Sequence, residues 1–173
     1  MIAIIRSIRV AVSLLMVCCI GAYGGQTSPA AGKRTRPDTP DMAEMRNYRL
    51  SMAKVDKFAA ASQSLVALSK SNPAMKSAMQ GGMGAKTMDE GVKLMESKYP
   101  EAAAAIQKSG LNVREYFLIS VTLMTTTMVA GMKKQGQKMD QLPSTVSPEN
   151  VAFVEQNYPR IEKLLNGLSG PNE

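Results

Sequence analysis

Residues 112–134 read NVREYFLISVTLMTTTMVAGMKK, and the fold turns on them. Asn112-Val113-Arg114-Glu115 is a capping box. The first side chain accepts from an early backbone N–H, and the acidic side chain three residues on reaches back to the cap. No charge follows between Glu115 and Lys133. Apolar residues then fall on every side of the helix: Tyr116, Phe117, Leu118, Ile119, Val121, Leu123, Met124, Met128, Val129 and Met132. A helix apolar all round is either a central core helix or a membrane span. The uncharged stretch is slightly short for a bilayer, which needs about 20 residues. Ser120, Thr122, Thr125, Thr126 and Thr127 also interrupt it, and hydroxyls in a buried helix bond to the preceding turn. The stretch therefore predicts a central core helix over about 113–133.

Outward from it, the pattern stays helical. From Asp41 to about Ser69, Tyr48, Met52, Val55, Phe58, Ala59, Leu65 and Val66 recur at three- and four-residue steps, predicting one amphipathic helix. Asn72-Pro73 ends it and starts a short second helix, since a proline pushes its predecessor out of helical geometry. Gly81-Gly82-Met83-Gly84 is a break. Without a preceding strand or a following Gly-Lys-Ser/Thr it is no phosphate loop. Thr87-Met88-Asp89-Glu90 is a second capping box, and the helix it opens runs to about Lys98. Pro100 suits a first helical position, and Gly110 stops the Ala-rich helix that follows. Gln135 to Val146 reads as a polar loop. Ser147-Pro148 opens the last helix, which Pro159 kinks or splits. Gly167, Gly170 and Pro171 end it. No segment shows the alternation of a half-buried strand. The fold class is all-α: a single compact bundle of five or six helices over 41–169, with a tail at 170–173.

The N-terminus places the protein outside the cytoplasm. Arg6 and Arg9 precede an apolar run from Val10 to Ile20 and then Gly21-Ala22-Tyr23-Gly24-Gly25. That is a signal peptide over 1–24, with Ala22 and Gly24 at the small-residue positions. Residues 25–40, rich in Ser, Pro, Gly and Thr, form a flexible linker. Cys18 and Cys19 both lie in the signal, and their flanks, Val17 and Cys18, fit lipoprotein processing poorly. The expected location is periplasmic or extracellular.

Composition removes whole classes of chemistry. Without cysteine in the exported part there is no disulfide framework. With no histidine in the chain, zinc sites, Ser–His–Asp arrangements and axial haem ligation lack their usual groups. Without Arg6 and Arg9 the net charge of +7 falls to +5. Export turns that excess away from nucleic acid and towards acidic partners or anionic headgroups.

The signal, the Tyr48–Leu68 helix and the stretch Leu142-Pro143-Ser144-Thr145-Val146-Ser147-Pro148-Glu149-Asn150-Val151-Ala152-Phe153-Val154 resemble small exported helical proteins of bacteria that form uncharacterised families. The resemblance implies the same fold class and supplies no activity or functional residues.

No catalytic or cofactor-binding residue stands out. Asp89-Glu90 and Glu115 sit at helix starts, where negative charge suits the dipole. Ser120 and Thr125–Thr127 have no base in sight, and no spacing recommends a Ser–Lys pair. Methionine is the unusual residue, with fourteen in the chain. Met75, Met79 and Met83, and again Met124, Met128 and Met132, are spaced to make one thioether stripe each. Soft thioethers suit copper(I) or silver(I). Methionine also fills cores and lines adaptable grooves. The expectation is an exported, non-enzymatic helical protein that binds a partner protein or an apolar small molecule without a cofactor. A copper(I)- or silver(I)-handling protein is the alternative, and a Ser/Lys or carboxylate enzyme the third reading.

Overall fold

Local capping chemistry sets the helix boundaries. The structure is a computed structural model; it describes residues 39–81, 84–137 and 141–168, and only the backbone of 78–81. The expected signal peptide, residues 25–38 of the expected linker, Cys18, Cys19, Met83 and the expected tail at 170–173 lie outside the described residues, as does the side chain of Met79. The described residues form seven helices and no strand: α1 (Pro40–Asn47), α2 (Met52–Ser71), α3 (Pro73–Gly81), α4 (Met88–Lys98), α5 (Pro100–Lys108), α6 (Val113–Lys134) and α7 (Pro148–Leu168).

Asn112 Oδ1 accepts from Glu115 N–H at 2.7 Å and opens α6. Thr87 Oγ1 accepts from Glu90 N–H at 3.2 Å and opens α4. Ser147 Oγ accepts from Asn150 N–H at 3.2 Å and opens α7. Each satisfies a donor that the first helical turn leaves orphaned. The reciprocal half of the boxes differs from expectation. Glu90 reaches one residue further back and accepts from Lys86 N–H at 2.8 Å, while Glu115 turns away towards Tyr48. After α5, Gly110 adopts φ +81°, a left-handed geometry that glycine reaches without a Cβ clash, and Lys57 Nζ donates to its carbonyl at 3.4 Å.

The expected single helix from Asp41 to Ser69 is two. Thr39 caps α1 and Pro40 begins it, inside the stretch expected as linker. The chain then runs extended through Tyr48 until Ser51 caps α2, its Oγ accepting from Lys54 N–H at 3.4 Å. Asn150 holds this break. Its Oδ1 accepts from Leu50 N–H at 3.0 Å, and its Nδ2 donates to the Tyr48 carbonyl at 2.8 Å. Pro159 lies inside α7, which continues across it as one helix.

Two long helices organise the core. α6 packs against α1, α2, α4, α5 and α7, and α2 packs against α3, α5, α6 and α7. Val55, Phe58, Ala61 and Leu65 of α2 meet Val113, Ile119 and Leu123 of α6, with Ile106 of α5 and Val154 and Ile161 of α7. Removing this apolar surface from water is the main favourable term. Arg114 ties three elements at the start of α6. Its guanidinium pairs with Glu44 of α1 and Asp89 of α4, and Asp41 lies 3.9 Å away.

Thr125 Oγ1 bonds to the preceding turn as expected, donating to Val121 O at 2.8 Å. Thr126 and Thr127 do not, and nor does Thr122: all three hydroxyls are buried without a hydrogen-bond partner among the described residues. A buried hydroxyl left unsatisfied costs about 1–3 kcal/mol. Thr126 is fully buried, and valine keeps its branched shape without the hydroxyl. Thr126→Val is therefore expected to raise stability by about 1 kcal/mol. A lower urea midpoint for this variant would mean that the hydroxyl is satisfied in solution.

Candidate functional site

α6 is not enclosed on all sides. One side is core: Leu118, Ile119, Thr122, Leu123, Thr126, Val129 and Ala130 are buried. The other side carries Phe117, Val121, Met124, Met128 and Met132 at steps of three and four residues, which places them on one face. The two halves of that face differ. At its N-terminal end α4 lies against Phe117, with Gly91 close enough that a side chain there would just touch the ring. A Cβ there would lie 3.6 Å from Phe117 Cε2. Tyr116 stacks on Phe58 with ring centroids 5.0 Å apart and meets Phe117 edge-on.

Among the described residues nothing covers the C-terminal half in this way. Met124 is 37% exposed and Met128 48%, and among the described residues these are the large apolar side chains that face solvent. Met132 is half-buried. α7 borders the far end of the face: Lys134 Nζ sits 4.6 Å over the Tyr158 ring, and Lys133 Nζ pairs with Glu155 at 2.6 Å. The expected central helix is thus a core helix along one side and an uncovered apolar ridge along the other. By length and composition it is also the one described helix that could cross a membrane.

The other methionine run divides. Met75 is buried in the core against α2 and its neighbours, as a packing residue. The side chain of Met79 and the whole of Met83 lie outside the described residues. Met124, Met128 and Met132 are brought together on one ridge. No group of three or more His, Cys, Asp or Glu that could hold a metal ion occurs among the described residues.

The carboxylates at the helix starts pair with side chains on other helices or the segment between them. Asp89 pairs with Arg114. Glu115 accepts from Tyr48 Oη at 2.9 Å and lies 3.8 Å from Lys54 Nζ, which also sits 4.1 Å over the Tyr48 ring. Burial first, then the hydrogen bond to Glu115 and its negative charge, push the Tyr48 phenol well above its ordinary value. A folded-state pKa above the unfolded one stabilises the fold below the unfolded pKa, near pH 10, and that stability is lost as pH rises beyond it. Stability is therefore expected to fall above pH 10, and Tyr48→Phe should flatten part of that fall. The same alkaline slope in both proteins would remove Tyr48 as its source.

Ser64, Leu68, Glu101 and Lys108 line a solvent-open groove of about 600 Å³ between α2 and α5. It brings a serine and a lysine to one surface. However, Ser64 Oγ donates to its own helix at Ala60 O, 3.1 Å away, so its hydroxyl proton is engaged there.

The chain matches no family model, no curated protein and no solved structure. The functional reading therefore rests on the geometry of this molecule.

Sequence patterning missed Asn150 and the Arg114 cluster. Asn150 is 1% exposed and joins backbone groups about a hundred residues away. Its one local signal is its position three residues after the Ser147 cap. Arg114 read as a box filler, and nothing near it in sequence points to Glu44 or Asp89.

Proposed function

We propose that this is an exported, non-enzymatic helical protein that docks a partner protein through the uncovered ridge of α6. The observation that carries the reading is the exposure of Met124 and Met128, one turn apart, on a face without charge. Single exposed apolar side chains are ordinary, whereas adjoining ones that form a patch mark a contact surface. Methionine suits the role because its flexible thioether adapts to the surface it meets. The occupant is an amphipathic helix from an acidic protein. An uncharged helical ridge matches an apolar helical stripe, and the charge of +7, or +5 without the signal, favours a negatively charged partner.

Photo-crosslinking from position 132, on the same face of α6, in the exported fraction tests this. The expected product joins the protein to an acidic chain through an apolar helix face, and it disappears in Met124→Lys/Met128→Lys. Self-crosslinks alone would replace the partner with a second copy. Association with phosphatidylglycerol vesicles in place of a protein would replace it with a membrane surface. Copper(I) retained by the native chain and lost in Met124→Leu/Met128→Leu/Met132→Leu would favour the thioethers as ligands. The same preparation reports the N-terminus, and cleavage after Gly24 predicts that it starts at Gly25.

A further inference from the structure

We propose that Met124 and Met128 form an oxidant-sensitive modification site, and that peroxide converts this ridge from an apolar docking face to a polar one. The inference rests on the docking reading above and adds a means of switching it off.

Exposure separates the methionines of the described residues. Met75, Met88 and Met95 are 4%, 8% and 7% exposed, against 37% and 48% for Met124 and Met128. Met42, Met45, Met52 and Met132 fall between. Peroxide attack needs a line of approach to the sulfur lone pair, so susceptibility follows access. The Sδ lone pair attacks one oxygen of hydrogen peroxide and the O–O bond breaks. The sulfur gains that oxygen as a sulfoxide, losing two electrons, and the departing hydroxide takes up the remaining proton as water. A sulfoxide is polar and accepts hydrogen bonds, so an apolar partner helix would have to bury it unsatisfied. Both sulfurs stand in the middle of the ridge, so both changes fall within the proposed contact. Neither sits in the core, so the fold does not oppose the reaction.

The experiment treats the folded native chain with hydrogen peroxide, quenches it, and maps sulfoxides by peptide mass. The dye bis-ANS, which fluoresces when its aromatic rings bind apolar surface, reports the ridge in parallel. Met124 and Met128 are expected to oxidise about tenfold faster than Met75, Met88 and Met95. Dye binding should fall with the same time course. Met124→Leu/Met128→Leu keeps the ridge apolar without an oxidisable sulfur there, so its dye signal should survive peroxide. Oxidation of the buried methionines at an equal or greater rate overturns the site. Sulfoxide at Met124 and Met128 with an unchanged dye signal overturns the switch. An untreated protein that binds no dye counts against the docking reading, while the peptide map still decides the modification site.

Discussion

Asn150→Ala is expected to lower unfolding stability by about 2–4 kcal/mol. The native side chain closes two backbone bonds at once, from Leu50 N–H at 3.0 Å and to the Tyr48 carbonyl at 2.8 Å. Leu50 is 8% exposed and Asn150 1%, so water has poor access to replace the bond from Leu50, while the bond to Tyr48 is part-buried. Each orphaned group then carries a desolvation cost of about 1–3 kcal/mol, partly relieved if the segment shifts. The segment cannot recover by becoming helical, because Ser51 and Tyr48 already cap the helices on either side. Asn150→Asp keeps the acceptor, loses the donor and buries a carboxylate, so it should do no better than alanine. Asn157→Ala is the control: its Nδ2 bonds only within α7, to Phe153 O at 2.8 Å. Urea unfolding should show a lower midpoint for Asn150→Ala with an unchanged slope. A loss below about 0.5 kcal/mol, the range of ordinary surface changes, would mean that the break between α1 and α2 is held by other contacts.

That break shows where sequence reading stops. Asn112, Thr87, Ser147 and the Asn72-Pro73 pair mark helix boundaries through bonds made within three or four residues, so their effects can be read locally. The interruption at Tyr48–Ser51 depends on a side chain about a hundred residues later, while the apolar spacing runs across it undisturbed. Glu115 shows both cases. Its backbone N–H obeys the local cap, and its carboxylate answers to Tyr48 on another element. The methionine ridge was half legible. The spacing puts Met124, Met128 and Met132 on one face, but every face of α6 is apolar, so periodicity cannot choose which one stays bare. Packing chooses: α4 reaches Phe117 through Gly91, and α7 flanks the far side at Gly131 and Lys134.

The same argument makes adjacent residues of α6 behave as opposites. Leu123 is 1% exposed and belongs to the main core cluster. Leu123→Ala removes buried methyl groups and leaves a cavity that the surrounding helices fill only in part, so it should cost about 2–5 kcal/mol. One residue on, Met124 faces water, and Met128 lies a turn further along the same face. Lysine has nearly the helix propensity of methionine. Met124→Lys/Met128→Lys should therefore stay within about 0.5 kcal/mol of the native stability while removing the docking that the ridge supports. The contrast separates the two roles methionine can play. If the lysine pair destabilises the chain as much as Leu123→Ala, both sulfurs are packed in solution and the ridge is core. If the fold stands and the crosslink from position 132 disappears, the lost contact belongs to the surface of α6. Folding and binding then divide along the two sides of one helix, with Leu123 on the folding side and Met124 and Met128 on the binding side.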